Sequence, residues 1–466
     1  MSANKSKYDL TQGPILNKLV ALSMPIMATS FMQMAYSLTD TFWMGLLSRG
    51  ADTAVSVAAV GTAALYIWLS MGVMSLGRMG AEIGVSQNMG RGDTAAAKGY
   101  AQNALAMSVV LGTVYAVIMI VARRPLIGFF AIENAQVVFE AEQYLAVSAL
   151  AIPFIFAHNV ITGTFNGFGN TKLPFYINSF GLALNIAISP LLIFVFGLGI
   201  VGAAAGTVIA SIVNLALKLW AIKRYGNRPF EAFSFRFQID IAKLKQICSW
   251  GIPVAVESMT FTFLFMVVSR LISSFYDGAA IAPHRVGYQV EALSFMIGGG
   301  FAMAYGSFVG QNFGAKKWSR LHSGYKISTA VMAAYGVIVT IVLFVFAEPL
   351  VSIFLSGADE IRMGGDYLRI IALTQFLYCM EGVAVGSFRG RGLTIKPSIA
   401  SIGSNVVRVI VTYALAATAL GITGVWIGIA VAMTVKSIWL LVWHWFNARK
   451  LPRVDTIDAE AITEPA

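Results

Sequence analysis

The chain has 466 residues, of which 57% are hydrophobic and only 12% are charged, with a mean hydropathy of +0.73. Soluble domains contain about half apolar and about a quarter charged residues, so this composition excludes a protein whose only solvent is water. The formal net charge of +11 has two candidate explanations, a nucleic-acid partner or the topology of a membrane protein. The positions of the basic residues decide between them.

Twelve apolar segments are separated by glycine, proline and charged residues, and each is predicted to be a membrane-spanning helix. A helix rises about 1.5 Å per residue, so about 20 residues cross about 30 Å of hydrocarbon. The first segment follows a charged start and is too long for the core of a signal peptide, so we expect it to remain as a span. The predicted helices lie near residues 15–44, 55–82, 97–122, 140–165, 173–196, 200–222, 241–276, 281–312, 322–354, 364–388, 397–419 and 421–447.

Basic residues are concentrated in alternate connections between these helices. If the amino terminus is cytoplasmic, most lysines and arginines lie in inside segments, including the run from Lys223 to Lys245. The positive-inside rule then predicts that both termini are cytoplasmic, and topology explains the net charge without a nucleic-acid partner. The outside loops contain five arginines: Arg49, Arg123, Arg124, Arg285 and Arg362.

The polar stretches suggest how the chain is divided. Residues 1–228 are predicted to form an N-terminal six-helix lobe, and residues 241–448 a C-terminal one. Residues 229–240 are interpreted as the cytoplasmic linker between the lobes. The segment 449–466 is acidic and poor in apolar residues, which is typical of a disordered tail.

The first half of the sequence reappears in the second half. Pro25 aligns with Pro253 and Gly199 with Gly421, so the offset drifts from 228 to 222. Because six helices precede the repeat, both halves enter the membrane in the same orientation, as in transporters with parallel repeats. We therefore predict an all-α integral membrane protein of 12 transmembrane helices in two pseudo-symmetric six-helix lobes.

Several short motifs stand out along the chain. They are Thr11-Gln12-Gly13-Pro14, Pro25, Thr39-Asp40-Thr41, Gly-Gln-Asn-Phe-Gly-Ala at 310–315 and Arg389-Gly390-Arg391-Gly392. Together they resemble the MATE family, the multidrug and toxic compound extrusion transporters, over roughly residues 10–448. The resemblance implies two six-helix lobes arranged as a V. It also implies export of cationic, amphipathic compounds in exchange for protons or sodium ions.

A carboxylate in hydrocarbon costs at least about 2.5 kcal/mol, so acidic residues inside the predicted spans mark candidate functional sites. Asp40, in the outer part of the first helix, resembles the aspartate that MATE transporters use for cation coupling. The family often has Asn and then Asp one turn later in the fifth helix, whereas this chain has Asn185 and Ser189. With Thr207, these residues form the predicted cation site of the N-terminal lobe.

One carboxylate in place of two weakens a sodium site, because hard cations prefer anionic oxygen ligands, so this lobe is expected to favour protons. The alternatives remain open at this point. Asp40 can be an interface residue that faces water, and Asn185 and Thr207 can simply bridge neighbouring helices.

In the C-terminal lobe the candidate is Glu257, one turn after Pro253, where a proline frees a backbone carbonyl and lets the helix bend. Glu257 resembles the seventh-helix glutamate of NorM-type MATE transporters. The tenth-helix aspartate of that type is missing from its expected place, and Glu381 lies about one turn away. Internal symmetry aligns Glu381 with His158, and the two are a candidate central titratable pair, because the charge of a histidine can change between about pH 5 and about pH 8. The alternative is that each of the two satisfies only a neighbouring helix.

The substrate cavity is predicted to contain Glu291, which can neutralise a cationic substrate or pair with Arg285. It is also predicted to contain His158 and three methionines, because flexible thioethers suit a site that accepts many flat cations. Packing against lipid or core is the alternative for these methionines. They are Met27, Met34 and Met296.

The predicted function is a multidrug efflux antiporter with no cofactor other than H⁺ or Na⁺ as the coupling ion. It is predicted to be a monomer in the inner (plasma) membrane, with lipid and a small-molecule substrate as partners and no nucleic acid. A flippase for a lipid-linked sugar or peptidoglycan-type precursor is the alternative, but such a protein needs clustered basic residues inside the membrane. The basic residues well inside spans show no obvious cluster: Arg270, Arg369, Arg408, Lys218 and Lys436.

An enzyme is disfavoured because the sequence has no nucleotide-binding glycine loop and no HExxH motif. The four histidines are scattered over separate segments, and Cys248 and Cys379 fall in different halves, so a metal cluster is not predicted either. A channel is disfavoured because no pore-loop filter is evident.

Overall fold

The computed structural model describes residues 8–47, 53–233, 239–275 and 281–452, together with most of the side chains inside its helices. Every regular element in these ranges is a helix. The helices are α1 Ile15–Leu47, α2 Thr53–Gly90, α3 Thr94–Val121, α4 Arg123–Gly128, α5 Ala135–Ala149, α6 Ile152–Phe168, α7 Lys172–Pro190, α8 Gly199–Arg224, α9 Ile241–Phe275, α10 Ile281–Gly314, α11 Trp318–Val345, α12 Ala347–Ser352, α13 Ala358–Gly390, α14 Ile395–Ala416 and α15 Gly421–Ala448.

Eleven of these helices are long and apolar enough to span a membrane, and α5 with α6 makes a twelfth span that is bent by 44°. This confirms the predicted all-α membrane fold. The helix predicted at 140–165 is corrected by the bend, because Pro153 lies in the first turn of α6 and has no N–H to continue the helix from α5. The helix predicted at 322–354 is corrected in the same way, since α11 ends at Val345 and the short α12 follows.

The contacts within the chain define two compact units. The N-terminal unit contains Met1–Asp9 and Ala28–Ala255, and the C-terminal unit contains Leu10–Met27 and Val256–Ala466. The beginning of α1 therefore belongs to the C-terminal unit, and the beginning of α9 belongs to the N-terminal unit. This division differs from the lobes 1–228 and 241–448 that were predicted from the order of the helices along the chain. Of the predicted tail 449–466, the part beyond residue 452 lies outside the described residues.

The exchanged parts of α1 and α9 take full part in the cores that they join. In the C-terminal unit, Leu19 and Leu22 of α1 pack in one cluster with Tyr305 of α10. In the N-terminal unit, Trp250 of α9 packs with Met79 of α2. Both helices change unit within a turn of the prolines that the internal repeat aligns, so the exchange is itself duplicated.

The same helix pairs pack in both units, as expected of a duplicated fold: α2 with α6 corresponds to α10 with α13, and α7 with α8 corresponds to α14 with α15. Aligned glycines allow the first of these contacts. A Cβ at Gly167 would lie 2.6 Å from the Glu82 carbonyl oxygen, and one at Gly390 would lie 2.3 Å from the Gly306 carbonyl oxygen. Only glycine permits such close approach of two helix backbones in a membrane.

Candidate functional site

Two polar side chains are enclosed in the N-terminal unit without partners. Asn185 and Ser189 lie one turn apart on α7 and are 0% exposed. Within the described part of the chain, neither the two polar atoms of the Asn185 amide nor the Ser189 hydroxyl has a hydrogen-bond partner. An unpaired buried polar group costs about 1–3 kcal/mol, so the arrangement suits a ligand that supplies the missing interactions.

Helix α8 forms the second wall of this place. A Cβ at Gly206 would lie only 2.5 Å from Ser189 Oγ, so the two helices meet directly at the hydroxyl. The next residue, Thr207, is partly buried, and its hydroxyl donates to the Ala203 carbonyl at 3.4 Å. Three of the four residues predicted for the N-terminal cation site are thus on two contacting helices, at the same level.

The fourth residue, Asp40, has its backbone in α1, and its side chain lies outside the described residues. The flanking contacts still fix its level. Below it, Ser179 Oγ of α7 lies 3.2 Å from Met32 Sδ, and above it the rings of Trp43 and Phe194 are 6.3 Å apart. Asp40 lies between Met32 and Trp43 along the chain, and Asn185 lies between Ser179 and Phe194. The backbones of Asp40 and Asn185 are therefore at similar depth.

Helix α7 changes its winding directly above the pair. Pro190 ends the α-helix, and the π-helical segment Leu191–Val195 follows, with the Phe196 N–H donating to the Leu191 carbonyl at 3.0 Å. Proline cannot donate a backbone hydrogen bond, and short π segments occur frequently at functional sites. The Ser189-Pro190 step in the sequence was the available signal for this local change.

The internal repeat identifies the equivalent place in the C-terminal unit. A Cβ at Gly428 would lie 2.8 Å from Thr412 Oγ1, as Gly206 lies against Ser189. The register that aligns Ser189 with Thr412 also aligns Asn185 with Arg408, and the α1 register aligns Asp40 with Val268. The C-terminal unit therefore has Val268 at the position of Asp40 and the guanidinium of Arg408 at the position of the Asn185 amide.

Glu257, the acid predicted for the C-terminal cation site, forms an ion pair with an arginine of the same unit. Its Oε2 accepts hydrogen bonds from Arg389 Nη2 at 3.2 Å and from Ser398 Oγ at 2.8 Å. Arg389 comes from the Arg-Gly-Arg-Gly motif at the end of α13. The motif is evident in the sequence, but the sequence alone does not indicate that Arg389 pairs with Glu257.

Glu381 has a separate set of partners. Lys436 Nζ of α15 lies 3.0 Å from its Oε1, and Ser437 Oγ donates to its Oε2 at 2.7 Å. Along α13, Glu381 precedes Arg389 by eight residues, or about 12 Å of helix. The structure thus places the two predicted acids in separate ion pairs, each with its own cation.

Glu291, predicted for the substrate cavity, is 1% exposed within the C-terminal unit. It accepts hydrogen bonds from Tyr367 Oη at 2.5 Å and Gln375 Nε2 at 3.4 Å. Arg408 acts on it electrostatically, whereas its predicted partner Arg285 is exposed. Glu291 therefore belongs to a buried hydrogen-bond network.

The three predicted cavity methionines are all partly buried. Met27 packs against α10, where a Cβ at Gly300 would lie 2.7 Å from Met27 Cγ. Met34 lies on α1, between the two contacts with α7, and Met296 lies on α10. They are distributed over both units, and their role in substrate binding stays a prediction.

His158, the last of the predicted site residues, contacts Lys218, a residue that was not predicted for a site. Lys218 of α8 is 0% exposed, and its Nζ lies 3.1 Å from His158 Nδ1. The same Nζ donates to Thr162 Oγ1 and to Asn178 Oδ1. A lysine inside a span is itself a signal of function, because a charged side chain is costly there.

Within the described ranges, no three His, Cys, Asp or Glu side chains lie close enough together to hold a metal ion. The polar groups of the interior are instead arranged as one unpartnered amide and hydroxyl pair, one lysine with neutral acceptors, and several paired or hydrogen-bonded acids. Such groups can bind a monovalent cation, exchange protons and hold helices together.

The chain is similar to known proteins along nearly its whole length. It is 26% identical over 454 residues to "Probable multidrug resistance protein NorM" of Thermotoga maritima, covering 94% of this chain and 95% of that protein. It is 25% identical over 465 residues to "Multidrug resistance protein PmpM" of Pseudomonas aeruginosa, covering 96% and 95%.

Solved structures share the fold. One is described as "Outward-facing conformation of a multidrug resistance MATE family transporter of the MOP superfamily", with a TM-score of 0.87, 22% identity, and coverage of 96% of this chain and 99% of that one. Another, "Crystal structure of MATE in the bent conformation", has a TM-score of 0.89 and 22% identity, with coverage of 97% and 98%.

The family model MatE matches residues 25–191 and 253–414, more than two thirds of the 466 residues. The two matched segments begin at the aligned prolines Pro25 and Pro253, so the model recognises the duplication as well as the family. The chain therefore belongs to the MatE family and is a multi-pass membrane transporter of the MATE type.

Proposed function

We propose that this transporter exports small cationic, amphipathic molecules from the cell in exchange for protons, and that Asp40, Asn185, Ser189 and Thr207 form the coupling site. The observation that carries the proposal is the pair Asn185 and Ser189, fully buried at the depth of Asp40 and without a hydrogen-bond partner among the side chains that the structure describes. Export of many compounds is supported by relatives that are named multidrug resistance proteins.

The chemistry of this place favours a proton over a sodium ion. Hard cations bind best to several oxygen ligands that include more than one anion. Ser189 supplies a neutral hydroxyl where a second carboxylate would stand, so Asp40 is the single acid assigned to the site. One acid among hydroxyl and amide groups can take up a proton and rearrange its hydrogen bonds when it does.

The C-terminal unit is less suited to a coupling cation. Glu257 and Glu381 each hold a cationic side chain, so an arriving ion would have to displace Arg389 or Lys436. At the place equivalent to Asn185, the guanidinium of Arg408 repels cations directly. We therefore assign coupling to the N-terminal unit, and the paired acids to the stability of the C-terminal unit.

In the proposed cycle, cationic substrate and proton compete for one unit. Substrate enters from the cytoplasm while Asp40 is ionised. Protonation of Asp40 from the outside then removes the negative charge that holds the substrate, which leaves. The cytoplasmic position of both termini, the plasma-membrane location and the monomeric state are part of this proposal.

Dye export from vesicles of defined orientation tests the proposal. Ethidium efflux is followed under an imposed pH gradient in one arm and a sodium gradient in the other, for wild type and for Asp40→Asn. Asp359→Asn, the same change at an exposed residue of α13, is the matched control. We expect Asp40→Asn to lose at least about tenfold of the pH-driven rate and Asp359→Asn to behave as wild type.

Three results would contradict the proposal. Asp40→Asn efflux equal to wild type would remove the coupling site. Efflux driven by sodium alone would show that the coupling ion is sodium and not the proton. Vesicles that move no dye but flip a lipid-linked precursor would show that the protein is a flippase.

A further inference from the structure

A buried ammonium group joins three helices of the N-terminal unit. Lys218 Nζ of α8 lies 2.8 Å from Asn178 Oδ1 of α7 and 2.9 Å from Thr162 Oγ1 of α6. The third partner is His158 Nδ1 of α6 at 3.1 Å. A lysine ammonium has three donors and no acceptor, so these three neutral partners use all of its hydrogen bonds.

Losing a proton would leave this network complete. A neutral amine has two N–H donors and one lone pair. The two donors can stay on Thr162 and Asn178, and the lone pair can accept from His158 once its ring carries the proton on Nδ1. Both protonation states therefore satisfy every polar atom of the cluster, which a network built only for packing does not require.

The partly exposed edge of the cluster is the proposed route for the proton. Lys218 is fully enclosed, whereas His158 and Asn178 are partly exposed. An N–H bond of the ammonium breaks as a new one forms on His158 Nδ1, and the imidazolium then gives its Nε2 proton to water. The products are a neutral amine, a neutral imidazole with its hydrogen on Nδ1, and one released proton.

A further positive charge lies on a neighbouring helix. Arg78 of α2 acts electrostatically on both Lys218 and His158, and α2 touches α6 where a Cβ at Gly163 would lie 2.8 Å from the Arg78 carbonyl oxygen. Glu82 lies one turn further along α2, and both it and Arg78 engage partners of their own. Two like charges in a low-dielectric interior repel strongly.

Three tyrosines that the structure describes on the packed helices have other surroundings. Tyr115 of α3 and Tyr144 of α5 belong to the apolar cluster around Phe156. Tyr176 of α7 is 62% exposed.

The aligned place in the C-terminal unit lacks this property. There Glu381 replaces His158 and Leu440 replaces Lys218, and the Glu381 carboxylate lies 3.0 Å from Lys436, one turn before Leu440. The C-terminal unit therefore pairs its lysine with a carboxylate, whereas the lysine of the N-terminal unit contacts neutral acceptors.

We infer that Lys218 and His158 form a proton-exchange site, separate from Asp40, that releases one proton during each transport cycle. The inference rests on the proposed function, because it assigns a second proton to the same antiport. Its ligand is the proton itself, and its effect is to remove a positive charge from the unit that a cationic substrate enters.

Solid-state NMR of vesicles with ¹⁵N-labelled histidine rings tests the site without any substrate. The chain has four histidines, and the His158 signals are assigned by their absence in His158→Gln. Between about pH 5 and about pH 9 we expect the His158 Nδ1 signal of wild type to change from acceptor to protonated nitrogen. In Lys218→Arg the change should vanish, because arginine does not release its proton.

A wild-type Nδ1 signal that is constant over this range, or one that changes in the same way in Lys218→Arg, would overturn the inference. If Lys218→Arg does not yield folded protein, the wild-type titration decides alone. Because no dye is involved, failure of this test is distinct from failure of the export experiment.

The ratio of protons to ethidium in the vesicle assay gives the second readout. We expect Lys218→Arg and His158→Gln each to lower this ratio by about one proton, a change that a purely structural role would not produce. Lys223→Arg, an exposed lysine on the same helix, serves as control and should keep the wild-type ratio. Unchanged ratios in both site variants would contradict the inference.

Discussion

The two units keep the same helices at the coupling position but differ in charge. In the N-terminal unit the positions are Asp40, Asn185 and Ser189, and in the C-terminal unit the aligned residues are Val268, Arg408 and Thr412. The backbone contact is conserved, since Gly206 meets Ser189 as Gly428 meets Thr412. The N-terminal unit therefore has an acid and neutral polar groups at this position, which suit an arriving cation. The C-terminal unit has the cationic side chain of Arg408 there instead.

The partners of the inner lysines differ as well, although the two lysines lie one turn apart in the repeat. Lys436 contacts the carboxylate of Glu381, and Lys218 contacts the imidazole of His158 at the aligned position. The first lysine has an anionic partner and the second has neutral ones. Duplication thus provides a scaffold in which one half can be held constant while the other half changes its protonation.

The largest expected effect comes from removing the acid that fixes Lys436. Glu381→Gln leaves the partly buried ammonium of Lys436 without its carboxylate and should lower the free energy of unfolding by about 3 kcal/mol. His158→Gln, the aligned change, keeps an acceptor for Lys218 and should cost less than about 1 kcal/mol. Unfolding midpoints of the two variants in detergent measure the contrast, and equal losses would show that the units do not differ as described.

The second comparison uses the aligned glycines. Gly428→Ala brings a Cβ within 2.8 Å of the Thr412 backbone, which cannot move aside, so we expect destabilisation of about 1–3 kcal/mol. Gly206→Ala meets the Ser189 hydroxyl at 2.5 Å while Ser189 Cα stays 3.3 Å away. Because the hydroxyl can rotate, this variant should keep more of its stability but lose dye export. The opposite order of midpoints would be evidence against the packing described.

A new carboxylate can be placed in each unit in turn. Ser189→Asp gives the N-terminal site a second anion and should increase the stimulation of efflux by sodium about tenfold, equivalent to about 1.4 kcal/mol. Thr412→Asp lies one turn from Arg408, which would pair with it, so no sodium stimulation is expected there. Sodium dependence in Thr412→Asp, or its absence in Ser189→Asp, would contradict the assignment of the site to one unit.

The smallest effect concerns the start of α9. A hydrogen bond from the Lys243 side chain lowers the pKa of Asp240, and the Asp240 carboxylate also accepts from the Ala242 and Lys243 N–H groups. A lowered pKa contributes stability that is present above the unfolded value and lost as the pH falls through the folded one. Asp240→Asn should thus unfold earlier than wild type at neutral pH, with a difference that shrinks below about pH 4. A difference that persists under acidic conditions would assign the effect to lost helix capping alone.

The spans and the duplication could be predicted because they depend on apolar length and on residues repeated in order. The break before Pro153 was missed because a continuous apolar run does not reveal a bend. The partners of Glu257 and Lys218 could not be predicted for a related reason. When a helix is apolar on most sides, its sequence does not indicate which face turns inward, and so Arg389 and His158 could be assigned to their partners only from the packed helices.

The exchange of the first parts of α1 and α9 has a consequence for biosynthesis. A ribosome that has finished the connection before α9 has made a unit that still lacks Trp250 and its neighbours. Leu19 and Leu22 of α1, in turn, can complete their core only after Tyr305 of α10 has been synthesised. Neither half can finish its core before translation has passed well into the other, so maturation is a joint event and a chain cut at the connection would yield two incomplete products.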